Sequence, residues 1–332
     1  MPEPLTVLFA GNMSTEWAAW VAERLDAPWR VLTWDDDEPL DELVQRVAGA
    51  DVIVAGRIPR DGWSGSPALK LYHIPYTGFD WLEPAHLPAG CLLCNTFEHE
   101  IAIAEYVMAG MLEWVMETAA TDARFRTHRW EGRQPGIGPG RDELYGKTLG
   151  IVGYGHIGRE TAARARAFGM RIHAASRRPP APDGPQPDHF TAMDGLDELL
   201  GASDFVLVTL PLSAETKGLF DAAHFAAMKP TGVIINVGRG RVLDEQALFD
   251  ALKEKRIGGA IIDVWYQYPR DDDPDPTPSK FPFEDLDNII MTPHSSARTD
   301  AMRIRRWQFV ADNLNRFARG ETPENIVFEG AG

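Results

Sequence analysis

Residues 148–160 read TLGIVGYGHIGRE. A short apolar run leads into Gly153, Gly155 and Gly158 at the spacing G-x-G-x-x-G, and a helical pattern follows over 156–168. In that strand–turn–helix context each glycine has a task. The first allows the tight turn, the second lets the backbone approach a pyrophosphate, and the third lets helix and strand pack closely, at a helix N-terminus that attracts anions. The stretch predicts a dinucleotide-binding unit.

The next strand tests which dinucleotide. In NAD-selective proteins it ends in Asp or Glu roughly 20 residues after the fingerprint, accepting hydrogen bonds from the ribose hydroxyls. Here the run MRIHAA ends in Ser176, Arg177 and Arg178. There is no carboxylate to repel a 2′-phosphate, and one hydroxyl and two guanidiniums stand ready to bind one. NADP is the expected cofactor, with NAD as the alternative.

Outward from the fingerprint, apolar runs suited to buried strands recur at 5–10, 51–55, 70–74, 170–174, 204–210, 232–236, 258–262 and 287–291. Helical patterns lie between most of them, at 15–25, 194–201, 243–255 and 296–319, with Asp244 placed to cap its helix and Gly258 beyond its end. Strands alternating with helices predict an α/β fold with parallel sheets covered on both faces. The alternation occurs before residue 100 and again after 145, joined by one long helix at about 101–120. Two Rossmann-like domains are expected: a flavodoxin-like substrate domain from 1–100 with 296–332, and a dinucleotide-binding domain from 101–295. The loops 131–141 and 269–284 are too rich in Pro and Gly for regular structure.

Composition is that of an ordinary soluble globular protein. The 332 residues carry 33 Lys+Arg against 49 Asp+Glu, a net charge of −16, which disfavours a nucleic-acid partner because phosphate-backbone binding needs a basic face. No stretch reads as a secretory signal or a membrane span, so a cytoplasmic protein is expected. The charge is uneven: 12 basic and four acidic residues fall between Arg124 and Arg178, a basic island suited to a small anionic ligand. Cys91 and Cys94 form a C-x-x-C on an apparent strand, GCLLCN, where that spacing puts the thiols on opposite faces; with no second pair they read as small buried residues and not as a metal site. The acidic run Asp271, Asp272, Asp273, Asp275 lacks the turn glycine and terminal Glu of a calcium loop, so no metal is expected.

The stretches NVGRGRVLDEQALFDALKEKRIGGAIIDVW (236–265), TPHSS (292–296), GKTLGIVGYGHIG and LPLSAETKGLF resemble the D-2-hydroxyacid dehydrogenase family, and TGFD (77–80) and IAIAEYV (101–107) extend the likeness more weakly into the first domain. The resemblance implies hydride exchange between a nicotinamide dinucleotide and a 2-oxo or 2-hydroxy acid. That chemistry needs a cation for the carboxylate and carbonyl and an acid for the forming alkoxide. Arg239 and His294 suit those roles, and with Asp263 they follow apolar runs at the strand ends where open parallel sheets bind ligands. The resemblance further implies that Asp263 orients the nicotinamide carboxamide, that His156, Ile157, Leu210, Pro211, Val237 and Gly238 line the cofactor site, and that backbone amides around Tyr76, Thr77 and Gly78 hold the substrate carboxylate. It also makes the 121–141 arm, with Trp130 among arginines, a dimer contact, so a homodimer is expected.

Two positions depart from the family. Where its members carry a Glu that pairs with the catalytic His, DVWYQYP places Tyr268, with Gln267 beside it. A phenol fixes a tautomer but does not raise a histidine pKa, so His294 is expected to be a weaker base than in relatives; Glu98 or Glu100 remain alternative partners. His99 stands where formate dehydrogenases of the superfamily bind substrate through an Asn, which disfavours formate. Tyr76, Trp265, Tyr266 and Tyr268 are candidates for an aromatic wall that would favour a larger or apolar 2-oxo acid. A dinucleotide-sensing regulator on the same fold is the non-enzymatic alternative, and oxidation of a non-hydroxyacid such as formate or phosphite is a third reading.

Overall fold

The computed structural model describes residues 4–59, 66, 68–130, 132, 133, 140–182, 184–270 and 273–332. Much of the 131–141 loop, and Asp271 and Asp272 of the acidic run, lie outside the described residues. The chain forms two compact units, Met1–Glu98 with Thr299–Gly332, and His99–Arg298.

In the first unit the order is β1 (Leu5–Ala10), α1 (Asn12–Ala22), β2 (Trp29–Trp34), α2 (Leu40–Ala48), β3 (Val52–Ala55), β4 (Leu71–His73) and β5 (Leu92–Cys94). The second unit holds α3 (Glu100–Met116), α4 (Thr118–Phe125), β6 (Thr148–Val152), α5 (His156–Ala167), β7 (Arg171–Ala175), β8 (His189–Thr191), α6 (Leu196–Ala202), β9 (Phe205–Val208), α7 (Ala222–Ala227), β10 (Val233–Asn236), α8 (Glu245–Lys253), β11 (Gly259–Ile262) and β12 (Ile289–Met291). The chain then returns to the first unit with α9 (Asp300–Ala318) and β13 (Ile326–Glu329).

The first sheet runs β13-β5-β4-β3-β1-β2, parallel except for the antiparallel edge strand β13. Its parallel part has the flavodoxin-like order. Successive residues face opposite sides, so Leu8, Ile53 and Tyr72 enter one core layer while Val7, Val52, Val54 and Leu71 enter the other with Trp307 of α9. Cys91 and Cys94 fall in these two different layers, buried and unpaired, and burial pushes both thiols up to about 12.

The second sheet runs β12-β11-β10-β9-β6-β7-β8, the doubly wound order whose direction of growth reverses between β6 and β9. Its central strands are buried at every position because helices cover both faces. The Asp244 carboxylate accepts the Ala247 N–H at 2.9 Å and caps α8 as expected. That helix stops earlier than its pattern suggests, at Lys253, with Lys255 in the left-handed region. The single helix expected at 101–120 is two helices, broken at Glu117, whose φ is +48°. The terminal helix begins at Asp300, capped by the Thr299 hydroxyl, and leaves 292–298 as a turn.

Candidate active site

The fingerprint turn has the geometry its glycines imply. Gly153 sits at φ +102°, closed to L side chains, and a Cβ there would meet Thr209 Oγ1 at 2.7 Å. A Cβ on Gly158 would strike the Gly153 carbonyl at 2.7 Å, whereas one on Gly155 would meet nothing within 4 Å. The open position is thus the N-cap of α5, a 12-residue helix with no acidic residue in its first turn, where anions are favoured. His156 and Ile157 follow in that turn, and burial with the Arg159 charge pushes the His156 imidazole below its ordinary value. Thr209, which no sequence motif singled out, donates its hydroxyl to the Gly153 carbonyl at 2.6 Å and ties the end of β9 to the turn. Leu210 and Pro211 follow Thr209, and Val237 and Gly238 follow β10, so these four lie at the carboxyl ends of β9 and β10.

The Gly153 N–H donates to the Ala175 carbonyl at 2.9 Å, which fixes the end of β7 beside the fingerprint. Ser176, Arg177 and Arg178 emerge from that end. The Ser176 hydroxyl donates to the Arg178 carbonyl at 2.5 Å and shapes the bend. Both arginine side chains are exposed and neither forms an ion pair or side-chain hydrogen bond among the described residues. This half of the site fits a dinucleotide: an open glycine turn at a helix N-terminus with two uncommitted guanidiniums on the neighbouring strand end.

Arg239 follows β10 on a turn built by Asn236. That fully buried amide accepts the Gly238 N–H at 3.0 Å and donates to the Arg239 carbonyl at 3.1 Å. Asn236 is the start of the quoted NVGRG but drew no assignment; a side chain accepting from the backbone two residues on is the signal that finds such turns. The Arg239 guanidinium donates to the Gly238 carbonyl at 2.9 Å and is half-buried.

Asp263 is 0% exposed. Its carboxylate accepts the Thr292 hydroxyl at 2.6 Å, the Ser295 N–H at 2.9 Å and the Ser296 N–H at 3.1 Å. Because Thr292 spends its proton on Asp263, the Tyr106 hydroxyl, 2.7 Å from Thr292 Oγ1, is the donor in that pair. The Trp265 indole N–H adds a bond to the Thr292 carbonyl at 2.8 Å. Asp263, which the resemblance assigns to the nicotinamide carboxamide, also holds the 292–296 turn through these three donors. Tyr106 and Thr292 belong to the same support, and no local pattern announces them.

That turn carries His294 at φ +54°, a sparsely populated conformation kept by these surrounding bonds. Burial pushes its imidazole below the ordinary histidine value, and the Arg239 guanidinium adds to this, while the Asp263 carboxylate opposes it. Tyr268 lies with its ring 5.5 Å from the His294 ring, tilted by 58°. Its hydroxyl oxygen accepts the Trp265 backbone N–H at 3.0 Å, and no hydrogen bond joins it to His294 among the described residues. The contact is ring against ring. Gln267 makes no side-chain bond to the imidazole either. Glu98 pairs with Arg305 at 3.5 Å in the first unit, and Glu100 acts electrostatically on His156.

The four candidates for an aromatic wall differ in their burial. Tyr266 packs against the unit's core and donates its hydroxyl to the Leu243 carbonyl at 3.2 Å, and Trp265 is 6% exposed against Phe283. Tyr268 is 41% exposed and lines one cavity together with Trp265, and Tyr76 in the first unit is half-buried. His99 forms the N-cap of α3, with its carbonyl accepting the Ile103 N–H.

In the first unit, Tyr76, Thr77 and Gly78 follow β4. The Thr77 hydroxyl donates to the Thr96 carbonyl at 3.0 Å, and the Asn95 amide donates to the Thr77 carbonyl at 2.9 Å, so the residues after β5 hold this segment.

Residues 108–296 match the family described as D-isomer specific 2-hydroxyacid dehydrogenase, NAD binding domain. A glyoxylate reductase from Pyrococcus furiosus is 32% identical over 91% of this chain and 90% of its own. The chain belongs to the D-isomer specific 2-hydroxyacid dehydrogenases. A D-3-phosphoglycerate dehydrogenase from Methanocaldococcus jannaschii is also 32% identical to this dehydrogenase, over 86% of this chain and 53% of its own. Among solved structures, an NADPH-dependent glyoxylate/hydroxypyruvate reductase from Sinorhizobium meliloti, in complex with NADP and sulfate, superposes with a TM-score of 0.78 at 26% identity, covering 97% of this chain and 98% of that one. The second unit of this dehydrogenase is accordingly its nicotinamide-dinucleotide domain. No helix among the described residues is long and apolar enough to cross a membrane.

Proposed function

We propose that this dehydrogenase works as a reductase, converting a 2-oxo acid to its D-2-hydroxy acid with a preference for NADPH over NADH. The reduced nicotinamide supplies the hydride. Arg239 binds the substrate carboxylate and polarises the carbonyl, and His294 donates the proton that the forming alkoxide takes up. Backbone amides at Tyr76, Thr77 and Gly78 bind the substrate carboxylate on the first unit, where the Gly78 N–H has no hydrogen-bond acceptor among the described residues. Tyr268 packs against the imidazole and sets its orientation. His99 is a further candidate for substrate contact.

The observation that carries the cofactor preference is the pair Arg177 and Arg178, exposed and uncommitted at the end of β7 where NAD-selective relatives of this fold place a carboxylate. Glyoxylate and hydroxypyruvate, the substrates in the names of the relatives, are the first compounds to try. A coupled absorbance screen of 2-oxo acids with both reduced cofactors tests the reading. A higher kcat/KM with NADPH than with NADH supports it, and a clear NADH preference refutes it. Dinucleotide binding without turnover of any 2-oxo acid would favour the sensor, a reading that draws on the lack of a carboxylate hydrogen-bonded to His294 among the described residues.

A further inference from the structure

The chain passes from β7 to the parallel strand β8 through RRPPAPDGPQPD (177–188), with no helix among its described residues, although crossovers between parallel strands usually carry one. Pro179, Pro180, Pro182, Pro185 and Pro187 fix φ and remove backbone donors, so the stretch is stiff and has few N–H groups with which to close bonds of its own. Side chains close them instead. The Gln186 amide, on an exposed residue, donates to the Ala181 carbonyl at 2.7 Å and to the Gly184 carbonyl at 3.0 Å. The Gly184 N–H donates to the same Ala181 carbonyl at 3.0 Å.

Two groups from outside the stretch hold its far end. Arg166, in the last turn of α5, donates to the Gln186 carbonyl at 2.7 Å and pairs with Asp188 at 3.0 Å. Tyr154, buried between the first two fingerprint glycines, donates its hydroxyl to the Pro185 carbonyl at 3.2 Å. Asp188 joins this end to β7 by accepting the Ile172 N–H at 2.7 Å. Exposed polar bonds such as the Arg166–Asp188 pair add little to the stability of a unit. What they fix is a path. That path begins at Arg177 and Arg178, and because the chain between is stiff, anchoring residues 184–188 limits the positions those two arginines can take. A 2′-phosphate then meets donors already placed, and less ordering is left for the binding step to supply.

We propose that Gln186, Arg166 and Tyr154 are positioning residues for cofactor choice, which hold the 177–188 strap in the path that presents Arg177 and Arg178 to the 2′-phosphate of NADPH. The role rests on the reading of those two arginines as the groups that recognise this phosphate, and it does not depend on which 2-oxo acid is reduced.

Fluorescence titration with NADPH and NADH tests it without reference to turnover. Gln186→Ala should lower the preference for NADPH over NADH by about three- to ten-fold while the Kd for NADH stays the same, and Tyr154→Phe, which removes only the hydroxyl, should lower the preference in the same direction. Both substitutions are neutral, so no lost charge accounts for the result. A purely structural role would weaken both cofactors alike. The decisive arm is a double-mutant cycle: in the Arg177→Gln, Arg178→Gln background, Gln186→Ala should leave the NADPH Kd unchanged, because the side chains it positions are gone. Equal losses for the two cofactors, no loss for NADPH, or the same loss in the absence of the arginines overturn the proposal. If the variant lacking both arginines binds NADPH as tightly as the wild type, the cofactor reading falls and the positioning role with it. If that variant binds NADPH weakly while Gln186→Ala binds it like the wild type, the positioning role alone falls.

Discussion

Replacing Asp263 with Asn should separate the support of the 292–296 turn from the chemistry proposed for His294. The carboxylate accepts three hydrogen bonds, at 2.6, 2.9 and 3.1 Å, from Thr292, Ser295 and Ser296. In Asp263→Asn the amide NH2 must face one of these donors, so at least one bond is lost and a buried donor is left unmet, at about 3 kcal/mol in all. For a unit of this size that corresponds to a fall of roughly 6–12 °C in its melting transition. A second effect is electrostatic. Asp263 holds the His294 pKa up against burial and Arg239, so removing its charge moves the imidazole further down. In the proposed mechanism reduction requires protonated His294; the rate would therefore decline as pH rises through that pKa, and the decline should begin at lower pH in the variant. Calorimetry and a pH profile of kcat/KM for 2-oxo acid reduction read the two effects separately. An unchanged melting transition together with an unshifted profile would refute the role assigned to Asp263.

Other predictions follow from named groups. His73 is fully buried, hydrogen-bonded to Asn313 at 2.9 Å, and pushed down by burial to about 4. Its folded pKa lies below its unfolded value near 6.5, so it favours the folded state fully above that value; about 3 kcal/mol is lost as pH falls from there to about 4. Acid titration of the first unit's stability should show this slope, and His73→Phe, if folded, should flatten it. Substituting Arg177 and Arg178 together with Gln should raise the KM for NADPH about ten-fold or more with little change for NADH; equal effects on both cofactors would show that the pair does not read the 2′-phosphate. Phe125 and Trp130 are 49% and 63% exposed and stack edge to face, 5.0 Å apart, on the 121–141 arm. Light scattering should give the mass of two chains for the wild type and a shift toward one chain for Trp130→Ala, whereas a monomeric wild type would remove the dimer from the account.

What was legible in the chain depended on how local its physics is. The fingerprint, the strand after it and the turn at Arg239 are short-range devices, and their glycines, arginines and capping residues stand in the order the chain uses them. Continuous apolar runs such as VIVA and VIIN marked central strands because both their faces are buried. Elements at the margins were missed for the converse reason. β2 mixes buried and exposed positions, β8 is three residues long, and β13 is an exposed antiparallel edge. In α2 only Leu43 and Val47 are buried, and α7 has six residues. The support of His294 was also hidden, since Tyr106, Asp263 and Thr292 meet across more than 180 residues of sequence. Family resemblance pointed to Asp263 but not to what its carboxylate touches.

The central claim is that a reduced nicotinamide held by the second unit would supply hydride to a 2-oxo acid that Arg239 binds, with His294 giving the proton. It is tested most directly by NADPH oxidation with a 2-oxo acid, measured for wild type and His294→Asn alongside the Kd for NADPH. The account predicts turnover by the wild type, a loss of about 100-fold or more in kcat for the variant, and an NADPH Kd that stays the same. Equal turnover by His294→Asn, or tight NADPH binding by a wild type that reduces none of the 2-oxo acids, would contradict it.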